Sequence, residues 1–335
     1  MNSFLKALSY FLLFFFSDAA YPNSSLKVGL VLDKGGKDDR SFNASAFSGA
    51  TEAKKQLGIH LKVLECQSDS AIAASLRTFA QHNYDLIIGI GFVQQSPIEE
   101  VAKEFPNLSF LLVDAPSSLP NVRSVIFNEH EGSYLVGVIA ALTTKTNHIG
   151  FIGGMDIPLI RRFERGFRAG AQSIEPRIKT LTYYVGASSD AWRNPTKAKE
   201  LALGQFSKGV DISFCAAGSS CAGVFDAAEE SHRLAIGVDS NQNWVKPGFI
   251  LTSMVKGVDL AVFQTIEQKL KGRFKPGIIH LGLKEGAISY SLDQYNRPLI
   301  SAQVEKQTNA IRNLIMKGTI VVPDYYKENQ RGQSK

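Results

Sequence analysis

Residues 27–57 read KVGLVLDKGGKDDRSFNASAFSGATEAKKQL, and the order of residue types in this stretch decides the fold. The apolar, β-branched run at Lys27–Leu32 predicts a buried strand, and the amphipathic pattern over Ser41–Leu57 predicts a helix. The loop between them, Asp33–Asn43, is rich in Gly and Asp, which permit a tight turn and cap helix N-termini. A strand, a turn and a helix in this order are typical of one unit of a parallel α/β sheet.

The same alternation continues along the rest of the chain. The first array has candidate strands at Lys27–Leu32, Leu61–Glu65, Leu86–Gly89, Ser109–Val113 and Ser124–Phe127, and candidate helices at Ser41–Leu57, Ala71–His82 and Ile98–Glu104. A second array has candidate strands at His148–Ile152, Lys179–Val185, Ile212–Ala216 and Leu234–Val238, and candidate helices at Glu129–Thr144, Leu159–Ser173, Pro195–Ser207 and Ala222–Glu230. The remainder adds extended segments at Ile250–Val255, Ile278–Leu283 and Ile288–Ser291, and helices at Val258–Lys271 and Ala302–Lys317.

Two successive arrays of this kind predict an α/β protein with two doubly wound lobes. We assign residues 27–128 and about 252–285 to an N-terminal lobe, and residues 129–250 and about 286–323 to a C-terminal lobe. Residues 324–335 form a polar tail. A chain that passes between lobes several times should hinge, with a binding crevice at the carboxyl ends of the strands.

The first twenty residues differ from the rest of the chain. Lys6 precedes an almost unbroken apolar run at Ala7–Phe16, which small residues follow. This order is typical of a secretory signal peptide, and about ten apolar residues are too few to span a bilayer. We expect cleavage near Ala19 or Ala20 and a mature periplasmic protein. Because no cysteine lies near this site, we expect no lipoprotein anchor.

Length and composition suit a globular protein. The chain has 335 residues, which favours about two domains, and 44% of them are hydrophobic, enough for a buried core. Lysine and arginine number 37 against 31 aspartate and glutamate, a formal net charge of +6. The basic residues are scattered rather than clustered, so we expect no nucleic-acid partner. We also expect a monomer.

Three cysteines, Cys66, Cys215 and Cys221, leave at least one thiol free in an oxidising compartment. Cys215 and Cys221 could bridge across a short loop. They are equally well explained as small buried side chains, so the sequence leaves the pairing open.

The sequence lacks the motifs of common enzyme classes. It contains no GxxxxGK[ST] loop, no HExxH, no paired CxxC and no GxSxG. Gly89 and Gly91 form a GxG after a strand, but the third glycine of a dinucleotide-binding fingerprint is missing. The six histidines do not pair at metal-ligand spacing. We therefore expect no catalytic residues, no metal and no cofactor.

Two loop aromatics, one in each lobe, are candidates for ligand contact. Phe42 follows the first Gly/Asp loop, and Trp192 precedes a helix that begins at Pro195. A lone Phe more often packs in a core. One loop aromatic in each lobe could nevertheless grip a flat ring from both faces.

Polar candidates also stand at strand ends. Asp114 and Asp239 each end an apolar run, and Lys256 follows another. Such a carboxylate either caps a helix or accepts hydrogen bonds from a ligand, and the lysine could neutralise it. In the first loop, Asp39 and Ser41 are equally well explained as caps of the following helix.

Several blocks of sequence carry a family resemblance. They are DDRSFN (38–43), FNEHEGSYLVG (127–137), TKTNHIGFIGG (144–154), NPTKAKE (194–200) and GTIVVP (318–323). These blocks resemble the basic membrane protein (BMP) family of ABC-importer solute-binding proteins, which are related to bacterial purine nucleoside receptors. The resemblance runs from about Lys27 to Pro323, and the EGSYLxG block and the ending are specific to the family.

The resemblance implies a type I periplasmic-binding-protein fold that captures a nucleoside, in particular a purine nucleoside, for an ABC permease. The contacts that it implies are Phe42 and Trp192 on the two faces of the base, Asp114 at the polar edge of the base, Asn43 and Asp39 from the first loop, Asp239 on the ribose hydroxyls, Lys256 beside Asp239, and Gly218 in the wall. Two features depart from the family: the missing lipoprotein cysteine, and a Gly-rich loop that is here AGSSCAG (217–223), bulkier at Cys221. The alternatives are a sugar or a signalling small molecule on the same scaffold, or a nucleoside-processing enzyme.

Overall fold

The computed structural model describes residues 25–328, so the predicted signal peptide lies outside the described residues. The strands are β1 (Lys27–Leu32), β2 (His60–Glu65), β3 (Leu86–Ile90), β4 (Ser109–Val113), β5 (Val122–Phe127), β6 (His148–Met155), β7 (Lys179–Gly186), β8 (Ile212–Ala216), β9 (Leu234–Asp239), β10 (Ile250–Lys256), β11 (Gly277–Leu281) and β12 (Ile288–Tyr290). The α-helices are α1 (Phe42–Leu57), α2 (Ile72–Gln81), α3 (Gln95–Glu104), α4 (Glu129–Thr143), α5 (Pro158–Ile174), α6 (Pro195–Phe206), α7 (Cys221–Glu230), α8 (Val258–Leu270) and α9 (Ala302–Met316). Every predicted element is present, with ends that differ by a few residues.

The strands form two six-stranded sheets. The first sheet has the order β11-β5-β4-β3-β1-β2 and is parallel throughout. The second has the order β12-β10-β9-β8-β6-β7, and β12 is antiparallel to β10. Central strands such as β3 and β8 are buried along their whole length, because helices cover both faces of a parallel sheet. The predicted fold class, α/β with two doubly wound sheets, is confirmed.

Each sheet has a point at which the strand order reverses. In the first sheet β1 lies between β2 and β3, and in the second β6 lies between β7 and β8. Loops that leave the two strands at such a point diverge to opposite faces and open a crevice at the carboxyl ends. The loops after β1 and β3 therefore face the loops after β6 and β8.

The chain passes between the two sheets three times: after β5, after β10, and between β11 and β12. The second passage differs from our assignment, which gave residues from about 252 onward to the N-terminal lobe. Strand β10 pairs with β9 and β12 as far as Lys256, so all of it belongs to the second sheet. A continuous ladder of hydrogen bonds keeps a strand in one sheet, and the passage therefore falls at Gly257, where α8 begins to pack on α1.

The C-terminal segment also differs from the polar tail that we expected. Asp324 is buried, and its carboxylate binds the guanidinium of Arg162 in α5, with Nε and Oδ1 2.8 Å apart. Arg165 of the same helix donates to Glu328. Residues 324–328 thus belong to the second lobe rather than to an unattached tail.

Helices α4 and α5 form the most closely packed helix pair. Glycines at positions 137, 166 and 170 lie at their crossing, where a Cβ atom would overlap a backbone oxygen of the opposite helix: that of Phe167, His130 or Tyr134, respectively. Only glycine allows the two backbones to approach this closely. No helix within residues 25–328 has the length and apolar character needed to cross a membrane.

A substitution at this crossing tests the close approach. We expect Gly170→Ala to lower the free energy of unfolding by about 1–3 kcal/mol, because the new methyl group forces the helices apart. The matched control is Gly204→Ala in α6, where an added Cβ atom would meet no neighbouring group within 4 Å. There alanine should raise the free energy of unfolding by up to about 1 kcal/mol through its higher helix propensity. Urea unfolding of both variants measures the difference, and equal effects would contradict the packing argument.

Candidate ligand-binding cleft

A cavity lies between the carboxyl ends of the two sheets. All eight candidate residues from the sequence line it: Asp39, Phe42, Asn43, Asp114, Trp192, Gly218, Asp239 and Lys256. The first four follow strands of the first sheet, and the last four belong to the second lobe. The structure therefore gathers in one place residues that the sequence separates widely.

The cavity also has lining residues that the sequence analysis did not single out. They are Asp33, Gly35, Gly91, Phe92, Val93, Leu159, Ile160, Phe163, Ala216, Ser219 and Val238. The sequence could have indicated Asp33 and Phe92 as lining residues, since both stand in segments that directly follow predicted strands. Nothing in the sequence indicated Leu159, Ile160 and Phe163 as lining residues, because their helical spacing in α5 is that of ordinary core residues.

Asp39 acts mainly as the cap of α1. Its two carboxylate oxygens accept from the backbone N–H groups of Ser41, Asn43 and Ala44 at 2.8–2.9 Å. This satisfies N-terminal donors of the helix, as one of our two alternatives proposed. Ser41, the other capping candidate, makes no side-chain cap bond and turns its hydroxyl elsewhere.

Asn43 holds the first loop in shape. Its amide nitrogen donates to Asp33 Oδ1 at 2.7 Å and to Asp39 Oδ2 at 2.9 Å, and its oxygen accepts from the Asp33 backbone N–H. Asp33 Oδ1 also accepts from the Gly35 N–H. These bonds leave Asp33 Oδ2 on the side of Gly91. Burial raises the pKa of Asp33 to about 6, against hydrogen bonds that lower it.

The ammonium group of Lys256 occupies the base of the cleft. Lys256 is 2% exposed, and its Nζ lies 2.5 Å from Asp114 Oδ2 and 3.2 Å from Glu129 Oε1. Burial opposes its charge, but the carboxylates of Asp114, Glu129 and Asp239 outweigh that effect and raise its pKa above the ordinary value. Lys256 is therefore a cation at neutral pH.

Aromatic rings surround this ammonium group. Nζ lies 5.0 Å from the ring centroid of Phe42, 5.1 Å from that of Phe127 and 5.6 Å from that of Phe163. Rings at this distance attract a cation through their quadrupoles. Phe42 thus contacts the site in two ways. Its ring lies near the ammonium group of Lys256, and it also lines the cavity.

Asp114 and Asp239 have equivalent positions in the two lobes. Each stands at the carboxyl end of a strand in the left-handed backbone region, with φ of 70° and 66°. Burial raises the pKa of Asp114, against the charge of Lys256 that lowers it, and burial raises the pKa of Asp239 to about 6. Asp239 Oδ2 accepts from the Ser41 hydroxyl at 2.6 Å, whereas the buried Asp114 Oδ1 has no hydrogen-bond partner among the described residues.

Trp192 forms the opposite wall. It lies in the 3₁₀ turn Ser189–Arg193 that follows β7, and its indole ring lies against Gly154 of β6, where a Cβ would overlap the ring. Phe92 of the first lobe meets the indole edge-on, with centroids 6.4 Å apart and planes at 72°. The hydroxyl of Ser219 donates to the Trp192 carbonyl oxygen at 2.8 Å.

Polar contacts join the two lobes around the cleft. Lys34 Nζ of the first lobe donates to Ser189 Oγ of the second at 2.9 Å. At another place, Gln242 Nε2 of the second lobe donates to the Arg40 carbonyl oxygen at 2.8 Å. Together with the hydrogen bond between Ser41 and Asp239, these contacts hold the two lobes together over the cleft.

Two α/β lobes that enclose such a cleft define a periplasmic-binding-protein type of fold, which ABC solute-binding proteins share. A solute-binding protein of an ABC transporter from Aeropyrum pernix K1 has this structure, with a TM-score of 0.81 and 29% identity over 92% of this chain and 98% of that one. A solute-binding protein from Conexibacter woesei superposes with a TM-score of 0.73 at 23% identity, covering 89% of this chain and 99% of that one.

The chain belongs to the Bmp family, described as ABC transporter substrate-binding protein PnrA-like, whose model matches residues 26–325. It is 34% identical to the ABC transporter nucleoside-binding protein BmpA of Lactococcus lactis over 323 residues, 90% of each chain. It is 36% identical to a CD4+ T-cell-stimulating antigen of Listeria monocytogenes, over 89% of this chain and 88% of that one. The resemblance carried by the five sequence blocks is confirmed.

The family consists of substrate-binding proteins and not of enzymes. This confirms the prediction, made from the missing catalytic motifs, that the protein is not an enzyme.

Removal of the Lys256 charge tests the electrostatics of the cleft base. We expect Lys256→Met to lower the free energy of unfolding at pH 7.5 by about 3–5 kcal/mol, since it leaves the buried carboxylate of Asp114 without a counter-ion. Urea unfolding at pH 7.5 and 5.5 measures the loss, which should shrink at the lower pH as Asp114 takes up a proton.

The double variant Lys256→Met/Asp114→Asn is the matched control. It also removes the charge of Asp114, whereas Glu129 keeps its ion pair with Arg162, so the double variant should recover part of the lost free energy. An unchanged loss in the double variant would contradict the assigned ion pair.

Proposed function

We propose that this protein binds a purine nucleoside between its two lobes and delivers it to the permease of an ABC importer. The observation that carries the proposal is that Phe42 and Trp192, from different lobes, line one closed cavity together with carboxylates at the strand ends. Aromatic rings from both sides suit a flat heterocycle, since base–aromatic stacking contributes about 1–3 kcal/mol per base. The name of the nucleoside-binding relative from Lactococcus lactis supports the same ligand class.

Asp114 is suited to the polar edge of the base. Its Oδ1 is buried and has no hydrogen-bond partner among residues 25–328. A buried acceptor without a partner costs free energy, so a ligand N–H that reaches it gains affinity. The neighbouring Lys256 keeps the carboxylate oriented through Oδ2. A base that presents no donor at this point leaves the acceptor unsatisfied and should bind less well.

Asp239 is suited to the ribose hydroxyls. Only one of its oxygens is engaged, by the Ser41 hydroxyl, and the carboxylate lines the cavity, as do Gly218 and Ser219 of the same lobe. A carboxylate can accept bonds from two adjacent hydroxyl groups. This assignment follows the family position of Asp239.

The charges of the cavity favour a neutral ligand. Four aspartates line it, at positions 33, 39, 114 and 239, and Lys256 supplies a positive charge that Asp114 and Glu129 already neutralise. Phosphate groups would meet like charges in a closed space, which is costly. A nucleoside fits this field better than its phosphate esters do.

The setting of the protein follows from the same proposal. We infer export to the periplasm with removal of residues 1–20, on the basis of the apolar run at Ala7–Phe16. Relatives from Pyrococcus are named lipoproteins, which agrees with a role outside the cytoplasm. The protein would act there as a monomer, and closure of the lobes would present the loaded form to the permease.

A ligand panel tests the function. We expect inosine, guanosine or adenosine to bind more tightly than ribose or free bases, and the 5′-monophosphates to bind weakly. Asp239→Ala should weaken nucleoside binding about tenfold or more through loss of the ribose acceptor. Isothermal titration calorimetry measures the affinities.

The other outcomes of the panel are equally informative. Tight binding of ribose alone would instead indicate a sugar receptor, and release of the free base during incubation would indicate an enzyme. Unchanged affinity in Asp239→Ala would remove the ribose role of that residue.

The raised pKa values predict that binding depends on pH. Ligand N–H and O–H groups donate to ionised carboxylates, so the affinity should be highest above the pKa values and fall as the carboxylates take up protons. Asp239, with a pKa of about 6, is about one tenth ionised at pH 5, which predicts an affinity loss of about tenfold between pH 7.5 and 5.

Calorimetry across this range measures the profile. The Asp239→Asn variant is the control, because it lacks the titrating group and should show a flatter profile from a lower starting affinity. An affinity that rises toward pH 5 would contradict the assignment of these carboxylates as acceptors.

A further inference from the structure

A disulfide bond lies directly behind the wall of the cleft. Cys215 at the end of β8 and Cys221 at the start of α7 are bonded, and both side chains are buried, 0% and 1% exposed. Cys66, in the first lobe, is a buried free thiol. The sequence left this pairing open, because spacing alone does not show whether the two side chains meet.

The loop that the disulfide closes forms part of the cavity. Of its five inner residues, Ala216, Gly218 and Ser219 line the cleft. Gly218 has a φ of 58°, and a Cβ at this position would lie 3.3 Å from the carbonyl oxygen of Trp192. The loop thus passes close to the backbone of the turn that carries the Trp192 ring.

Hydrogen bonds connect this loop to the Trp192 turn. Ser219 Oγ donates to the Trp192 carbonyl at 2.8 Å. Ser220 Oγ donates to the Ala191 carbonyl and accepts from the Asn194 N–H, both at 2.7 Å. Side chains from two consecutive loop residues therefore hold the turn on both sides of Trp192.

We propose that the Cys215–Cys221 disulfide is a positioning element of the ligand site, which fixes the Ser219–Ser220 loop and through it the Trp192 ring. Its two ends are anchored in elements of the second lobe, the buried strand β8 and the first turn of α7. The bond keeps the ends of the loop together while the hydroxyl groups keep their contacts with the turn. A preorganised ring loses less conformational entropy when a ligand stacks on it. The inference rests on the proposed nucleoside-binding function, and an oxidising compartment outside the cytoplasm would preserve the bond.

A double-mutant cycle tests the proposal. The variant Cys215→Ala/Cys221→Ala removes the disulfide and leaves no new thiol. We expect its affinity for inosine to fall about tenfold, because the Trp192 ring is no longer held in place before the ligand binds. In a Trp192→Ala background the same pair of substitutions should cost less than about twofold, because the ring that the disulfide positions is already absent. Equal losses in both backgrounds, or no loss at all, would overturn the positioning role.

A spectroscopic measurement follows the ring without any ligand. The chain has two tryptophans, at positions 192 and 244, so the Trp244→Phe background reports on Trp192 alone. In that background, removal of the disulfide should shift the emission to longer wavelength as the indole becomes more mobile and more hydrated. Cys66→Ala is the matched control and should leave both emission and affinity unchanged. An unchanged emission without the disulfide would contradict the proposal.

A further variant covers the case in which the double alanine variant does not fold. Ser219→Ala leaves the disulfide intact and removes one contact with the turn. It should reduce affinity in the same direction, and again only when Trp192 is present. If wild-type protein binds no nucleoside at all, the proposed function fails, whereas the emission measurement still reports on positioning. If it binds but the cycle is additive, the function stands and the positioning role is lost.

Discussion

The cleft depends on one buried ammonium group. Lys256 ends the last long strand of the second sheet, Asp114 follows a strand of the first sheet, and Glu129 begins the helix after the first passage between lobes. The contacts of Lys256 Nζ with both carboxylates therefore connect the two lobes and their hinge at a single point. Because all three side chains are almost fully withdrawn from water, their charges are stable only together.

The same logic extends away from the cleft. Glu129 Oε2 accepts from Arg162 at 2.6 Å, and Arg162 binds Asp324, so that charges alternate along Asp114, Lys256, Glu129, Arg162 and Asp324. We call this set the charge row. Each buried charge in it has an opposite neighbour, which offsets the cost of desolvation. The charge row explains why the segment around Asp324 is bound to the lobe, and it connects that segment to the base of the cleft.

The two aromatic walls are built in different ways. Phe42 lies in the first turn of α1, whose N-terminus Asp39 caps, and its ring packs near the Lys256 ammonium group. Trp192 lies in an irregular turn and needs several supports: the space left by Gly154, the edge of Phe92 and the loop closed by the disulfide. A regular helix positions one ring, whereas tertiary contacts position the other. This difference is the reason that we expect loss of the Cys215–Cys221 bond to affect the second wall and not the first.

The sequence by itself predicted the strands, the helices and the two sheets, because hydrophobic periodicity and loop composition are local properties. It also marked the loop aromatics and strand-end charges as candidates, whereas Asn43 and Gly218 came as ligand contacts only from the family resemblance. The family blocks further indicated the class of the protein. The sequence did not determine that Asp39 caps α1, that Lys256 pairs with Asp114 and Glu129, that Cys215 bonds to Cys221, or that β10 stays wholly in the second sheet. Nor did it single out Phe163, whose spacing is that of a core residue. Only the tertiary structure decided these features, because each depends on which distant segments the sheet order and helix packing bring within a few ångströms of one another.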